Sequence, residues 1–210
     1  MEDIIREYYY NGNIRVENYY KDGKPHRVDG PAVIWYYANG NIEKEDYCVE
    51  GKLHRLAGPA IIYYNKNGNI KEELYWESGV LHRLNSPAYI DYYDNGVIKQ
   101  EKYYKNGFLH RENGPAVIWY NESGNIKEES FYINKQLHRN NGPATILYYD
   151  NGKIKLVRYW INDKLHNLDG PAYIVYDLAG RVTSELYFIK GIQYDDIFLY
   201  SVVAGSLKGK

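Results

Sequence analysis

The sequence predicts an all-β protein, an elongated array of antiparallel β-hairpins that forms a curved open sheet or solenoid. Three observations lead to this fold class. A unit of 28 residues recurs along almost all of the 210-residue chain. Apolar and polar residues alternate within short segments, which is the period of a β-strand, and Asn-Gly pairs, a strong hairpin signal, separate these segments. Repeats of this period are typical of arrays and propellers, so a closed barrel or propeller is the competing shape.

Residues 30–57 show how one unit is built. A Gly-Pro pair opens it, and the alternation in 32–37 predicts a first strand. Asn39-Gly40 then predicts a tight hairpin turn, because both residues tolerate positive φ. A second strand follows in 42–48, and Glu50-Gly51 predicts the turn that leads into the next unit.

The two faces of the predicted sheet differ. The positions of Ile34 and Tyr36 keep their residue type down the repeats, whereas those of Val33 and Trp35 drift. Every copy must meet its neighbours in the same way, so constancy indicates packing. We therefore expect the constant face to form the core and the drifting face to form the surface.

The unbroken repeat predicts one repeat domain over 1–210. Residues 4–29 form an N-terminal partial repeat or cap, and 30–191 form the repeats. Residues 192–203 carry an apolar run that no other unit has, and arrays need atypical units to cover their ends. The sequence therefore predicts a C-terminal cap at 192–203 and a frayed tail at 204–210.

Composition excludes several classes of function. The 26 Lys and Arg nearly balance the 27 Asp and Glu, which argues against nucleic acid as a partner and disfavours a membrane lipid surface. A single cysteine, Cys48, excludes a disulfide framework and a cysteine-based zinc site. One cysteine fits a reducing compartment, and the first residues do not open like a signal peptide, so we expect a cytoplasmic location.

The succession of Asn-Gly, Glu-x-Tyr, Gly-x-Leu-His and Gly-Pro-Ala resembles a MORN-type repeat. It is most similar to the MORN-variant arrays of antitoxin-like bacterial proteins and of repeat proteins from large DNA viruses, and the resemblance covers about 4–192. Glu45, Tyr47, Gly51 and His54 match the pattern, while the unit is longer and Arg-x-x is inserted before Gly-Pro-Ala.

The resemblance implies a row of antiparallel hairpins. It further implies scaffolding, dimerisation or partner binding, sometimes of membrane phosphoinositides. The antitoxin-like branch implies neutralisation of a toxin. A viral origin would imply the host cytoplasm or the virion.

The regularly spaced histidines could suggest a metal site, but the distances between them argue against one. Equivalent atoms in successive hairpins lie roughly 9–10 Å apart, whereas two nitrogens sharing one zinc lie within about 4 Å of each other. We therefore expect no metal and no cofactor, and we predict that each imidazole ties down its own turn by bonding backbone groups. A metal site and a functional pH response are the alternatives. These structural residues are His26, His54, His82, His110, His138 and His166.

The arginine that follows each histidine and the glutamate of each second strand predict an Arg–Glu ladder along the array. An anion-binding row of arginines is the alternative. The chain has no G-x-S-x-G motif and no phosphate-binding loop, and its candidate residues occur in six copies, whereas a catalytic site is unique. We predict no catalytic residue and no enzyme.

Aromatic residues are the remaining candidates for a binding surface. We predict that they contact a protein partner; ordinary strand preference for aromatics is the alternative. The candidates are Trp35, Tyr37, Tyr63, Tyr89, Tyr93 and Trp119.

The sequence favours a non-enzymatic protein–protein interaction or scaffold module that presents an extended β surface. One alternative is an inhibitor or immunity-type protein that neutralises a toxin or host factor. Another is a hairpin solenoid that binds a ligand by cation–π contact in aromatic boxes. The sequence leaves open whether the chain forms a homo-oligomer.

Overall fold

The computed structural model describes residues 2–208. The chain forms two compact units, Met1–Phe108 and Leu109–Lys210. The predicted all-β array of antiparallel hairpins is confirmed, because in each unit the main strands follow one another in chain order within an open antiparallel sheet. The assignment of a single domain stays a prediction.

Each full repeat contributes one hairpin to the sheet. Its entry strand has four residues, and its return strand has five, or eight in the last repeat. The entry strands are Val33–Tyr36, Ile61–Tyr64, Tyr89–Tyr92, Val117–Tyr120, Thr145–Tyr148 and Tyr173–Tyr176. The return strands are Ile42–Asp46, Ile70–Leu74, Ile98–Lys102, Ile126–Ser130, Ile154–Arg158 and Val182–Ile189. A first hairpin of Glu2–Tyr8 and Ile14–Lys21 precedes them.

After each return strand the chain makes a small second hairpin, here called the side hairpin. Its two strands have two residues each in the central repeats. They are Cys48–Val49, Lys52–Leu53, Trp76–Glu77, Val80–Leu81, Tyr104–Lys105, Phe108–Leu109, Tyr132–Ile133, Gln136–Leu137, Trp160–Ile161 and Lys164–Leu165. At the ends, Lys24–Pro25 pairs with the preceding strand and Ile192–Tyr194 pairs with the last return strand.

The turn at Asn39-Gly40 differs from the predicted one, in which both residues have positive φ. At Asn39-Gly40 only the glycine has positive φ, 90°. The Tyr37 N–H donates to the Asn41 carbonyl at 2.8 Å, which encloses a three-residue loop of the type followed by a bulge. The predicted two-residue turn with both φ values positive is instead found in the side hairpin, where φ is 51° at Glu50 and 78° at Gly51.

The prediction that one face is core and the other surface is only half right. On the constant face Ile34 is 8% exposed, but on the drifting face Val33 is 7% exposed. Val33 begins the entry strand and Ile34 follows it. Trp35, nearer the strand end, is half-buried. Burial here follows position along the strand as much as face.

The C-terminal segment holds the one helix found within residues 2–208, Ile197–Lys208. The Asp196 side chain accepts the N–H groups of Phe198 and Leu199 at 2.8 and 3.2 Å, which caps the helix. The helix extends beyond the cap predicted at 192–203 and takes in most of the predicted tail. The last two residues of that tail lie outside the described residues.

One side of the helix packs on the last repeat. Tyr200 and Ala204 are buried against Ile189, and Leu168 and Tyr187 lie beside them. The Tyr200 hydroxyl also accepts the Gly170 N–H at 3.0 Å. The helix therefore covers apolar surface of the last repeat.

Candidate interaction surface

The histidines tie the repeats together, but not in the predicted way. The Nδ1 atom of His26 accepts the backbone N–H of Glu50 at 3.1 Å, in the turn of the next side hairpin. Each histidine therefore bonds the turn of the following side hairpin. The prediction that each imidazole ties down its own turn is wrong. The equivalent bonds are His54 to Ser78, His82 to Asn106, His110 to Asn134 and His166 to Lys190, at 3.1–3.3 Å. At His138 the Nδ1 atom instead lies 2.8 Å from the side-chain Oδ1 atom of Asn162.

Each of these backbone donors lies in the left-handed region of φ, as Glu50 does. The next N–H in the turn also points back, since Gly51 donates to the Pro25 carbonyl at 2.9 Å. Two bonds thus hold each turn to the preceding repeat. Burial, followed by the charge of Lys190, lowers the pKa of His166, which favours the neutral imidazole that can accept.

The arginines also hold the repeats, and they lie over aromatic rings. The Arg55 guanidinium lies 3.7 Å from the centre of the Tyr47 ring, and its Nη1 atom donates to the Pro59 carbonyl at 3.2 Å. The other stacked pairs are Arg27 with Tyr19, Arg83 with Tyr75 and Arg139 with Phe131. Asn167 replaces the arginine in the last repeat and still donates to the Pro171 carbonyl at 3.0 Å.

The glutamates pair with tyrosines, so the predicted Arg–Glu ladder is replaced by a Tyr–Glu ladder. Tyr64 of one repeat donates its hydroxyl to Glu45 of the repeat before it at 2.9 Å. The further pairs are Tyr36 with Glu17, Tyr92 with Glu73 and Tyr148 with Glu129. Burial, followed by the Glu17 charge, raises the pKa of Tyr36 to about 12, so these hydroxyls stay protonated donors.

Two predicted binding residues, Tyr37 and Tyr93, share a position at the start of the loop between strands. The Tyr37 hydroxyl donates to the Tyr64 carbonyl of the next hairpin at 2.8 Å. Tyr9 and Tyr149, at the same position, make the equivalent bond. This position therefore contributes to the junction between repeats.

The other four predicted residues lie on the drifting face, which we call the variable face. It is formed by the Val33 and Trp35 positions of the entry strands and the residues opposite them. Trp35, Tyr63 and Tyr89 share it in the first unit, and Trp119 lies on it in the second. The cross-strand pairs at the Trp35 position are Trp35–Lys44, Tyr63–Glu72, Asp91–Gln100, Trp119–Glu128, Leu147–Leu156 and Val175–Ser184.

A lysine occupies the space between the first two aromatics. The Lys44 ammonium lies 4.4 Å from the centre of the Trp35 ring and 5.2 Å from that of Tyr63. It also lies 3.0 Å from a carboxylate oxygen of Asp46. Burial raises the pKa of Asp46, and Lys44 partly offsets this. The other Asp46 oxygen has no hydrogen-bond partner within the described chain.

A second charged group follows on the same face. Asp91 is 7% exposed and lies opposite both Glu72 and Gln100 in the sheet. Two facing carboxylates repel each other, and the ammonium of Lys99 lies 3.0 Å from Asp91. Lys102 adds a cation over the Tyr89 ring at 4.7 Å, and burial lowers its pKa.

Sequence reasoning missed Lys44, Asp46, Asp91 and Lys102 because each of them occurs in one repeat only. A signal was present in the spacing, since Lys44 and Asp46 are two apart in a predicted strand and must share a face.

A different row of exposed side chains lies on the loops that follow the histidines. Val28, Leu56 and Leu84 are 78%, 86% and 77% exposed. A cleft lined by Arg55, Tyr75, Trp76 and Leu84 separates two of these loops. Within residues 2–208 no group of three or more histidine, cysteine, aspartate or glutamate residues is placed to hold a metal ion. No helix in that range has the length and apolar character that a membrane span requires.

Four segments of the chain match the family described as MORN repeat variant, at residues 4–24, 32–47, 88–106 and 116–134. Together with the hairpin array, these matches support a MORN-type repeat protein. MORN repeats are generally non-enzymatic and commonly mediate protein or membrane interactions. No curated protein matches the chain.

Among solved structures, the chain is similar to one titled "Crystal Structure of TcdB2-TccC3 without hypervariable C-terminal region". The identity is 11% and the TM-score is 0.18. The match covers 96% of this chain but 14% of the other, so the chain spans a small part of the length of that protein. A likeness of this size carries no argument about function.

Proposed function

We propose that this chain is a non-enzymatic protein-binding module whose variable face contacts a protein partner. One observation carries the proposal. The six cross-strand pairs at the Trp35 position have six different compositions, while most of the residues that join the repeats recur. A scaffold that keeps its junctions constant and changes one face is suited to recognition of a single partner.

The chemistry-bearing residues support a non-enzymatic role. The histidines accept backbone N–H groups, the arginines stack on rings, and the glutamates accept tyrosine hydroxyls. Each of these bonds joins a side chain to its own chain, in several copies. A reaction centre needs a group aimed at substrate, and these groups are aimed at neighbouring repeats.

The contacts of Lys44 argue against the aromatic ligand-box alternative. A cage for an external cation needs an open space between rings. Between Trp35 and Tyr63 that space holds the protein's own ammonium, which Asp46 anchors. We therefore favour a protein partner. The single cysteine supports a reducing compartment, and we propose the cytoplasm as the place of contact. The inhibitor or immunity-type role is a narrower form of the same proposal.

The test is a comparative capture experiment with the immobilised full chain. A variable-face variant, Trp35→Ala with Tyr63→Ala, is compared with Leu56→Ser, which changes a side chain of similar apolar character on the loop row. Quantitative mass spectrometry should show a protein that is retained by the parent chain and by Leu56→Ser but lost from the face variant. Retention of every captured protein by the face variant would contradict the proposal.

A further inference from the structure

The loops that follow the histidines carry an apolar residue at one fixed position in four of the six repeats. In the first unit these side chains are exposed, Leu56 by 86% and Leu84 by 77%. Leu168 has the same position in the last repeat, and there the C-terminal helix packs against it. The two repeats between them carry Glu112 and Asn140 instead. One apolar member of this set is therefore already covered by a helix.

The C-terminal helix shows what fits such a loop. The residues that it packs on the last repeat are Tyr200, Val203, Ala204 and Leu207, which have the i, i+3, i+4, i+7 spacing of one side of a helix. The helix and the loop also match in charge, because the Lys208 ammonium lies 2.6 Å from a carboxylate oxygen of Asp169. This contact combines an apolar stripe with a charge opposite to that of the loop.

The equivalent space in the first unit is the cleft between two of these loops, which we call the loop cleft. Leu56, Leu84, Tyr75 and Trp76 line it, and Tyr75 has the position that Tyr187 has under the C-terminal helix. Equivalent atoms in successive hairpins lie roughly 9–10 Å apart. Residues i and i+7 of a helix lie about 10.5 Å apart on one side. A single helical stripe is therefore long enough to contact both leucines.

The loop cleft differs in charge from the last repeat. Arg55 and Arg83 line the cleft, whereas the last repeat has Asn167 at their position. Each guanidinium stacks on a ring and donates one bond to a proline carbonyl, and neither forms a salt bridge within residues 2–208. Glu77 is the one carboxylate that lines the cleft. The two arginines therefore leave an excess of positive charge beside the apolar surface.

We propose that the loop cleft binds an acidic amphipathic helix of a partner protein. The apolar stripe of that helix packs on Leu56 and Leu84, as in other grooves that accept a helix. Carboxylates beside the stripe accept charge-assisted bonds from the arginines. The C-terminal helix of a second copy is a worse match, because Ala57 and Asn85 replace the aspartate with which Lys208 pairs. This surface is separate from the variable face, and the proposal does not rest on that face.

The probe is a fluorescein-labelled stapled helix of about 18 residues. It has leucines at the i, i+3, i+4, i+7 spacing and glutamates on both sides of them. Fluorescence anisotropy with the full chain should show saturable binding with a Kd on the order of 10 µM. Leu56→Ser with Leu84→Ser should weaken binding by about 10-fold or more, without lowering the melting temperature appreciably, because both side chains are exposed. A peptide with lysines in place of the glutamates should bind about 10-fold more weakly at low salt.

Trp35→Ala with Tyr63→Ala is the matched control, since it removes two large side chains from the variable face. It should bind the peptide as tightly as the parent chain does, whatever the variable face itself binds. The proposal is overturned by a glutamate peptide that does not bind at up to about 500 µM, by equal binding of the lysine peptide, or by binding that survives loss of both leucines. Loss of binding in the control would place the peptide on the variable face and overturn it as well. If a peptide of residues 195–208 binds as tightly as the glutamate peptide, the cleft takes the helix of a second copy and the proposal is wrong.

Discussion

The variable face has different chemistry in the two units although the junctions between repeats are alike. In Met1–Phe108 it carries Lys44 between aromatic rings and Asp91 among other charges. In Leu109–Lys210 the pairs are Trp119–Glu128, then Leu147–Leu156 and Val175–Ser184, so the face becomes more apolar toward the C-terminal end. The histidine, arginine and Tyr–Glu contacts recur in both. Stability of the array and composition of this face are therefore separable properties.

The largest effect should come from the apolar part of this face. Leu156 is 7% exposed, and Leu156→Ala should lower the free energy of unfolding by about 2–5 kcal/mol through lost burial and a cavity. Urea melts at low and high salt measure it. Because no charge is removed, the loss should be the same in both, and a strong salt dependence would contradict an apolar role.

Substitutions in the charged part of the variable face should make stability depend on pH. Lys44→Met removes the partner of Asp46 and should cost about 1–3 kcal/mol at neutral pH. The pKa of Asp46 in the folded chain is already above its ordinary 3.8 because of burial, and the variant should raise it further. The folded state then binds more protons than the unfolded state in this window, so the variant should regain stability as pH falls from neutral toward 4. Melts across this range check the trend; a variant that only loses stability on acidification would argue against it.

The shared junctions should give matched effects in the two units. Tyr64→Phe and Tyr148→Phe each remove a hydroxyl from a glutamate and should each cost about 1 kcal/mol. Thermal melts of the two variants test this. A difference of several-fold between them would show that the junctions are not equivalent.

The smallest effect concerns pH and His166. Its pKa in the folded chain is lowered, so the unfolded state takes up protons first as the pH falls. Its contribution to stability should be present above the ordinary pKa of 6.5 and lost as pH drops below that value. His166→Gln should flatten this part of the pH profile relative to the parent chain, and an unchanged profile would exclude a role for this imidazole.

The repeat made much of the fold predictable. Strand positions near 32–37 and 42–48, both turns and an atypical C-terminal end follow from local patterns that each unit restates. The φ prediction at Asn39-Gly40 was wrong because Asn-Gly suits both a two-residue and a three-residue loop. The prediction of surface and core from constancy failed at Val33, because burial in this sheet depends on position along the strand as well as on face.

The sequence by itself determined the period, the hairpins and the residues that recur, because these depend on spacing within about 28 residues. Only the tertiary structure decided what those residues contact. His26 bonds a turn 24 residues ahead, and Tyr64 bonds a glutamate 19 residues behind. Pairings of this kind are set by how one hairpin lies beside the next, and that geometry comes from strand register and sheet twist, which no single repeat encodes.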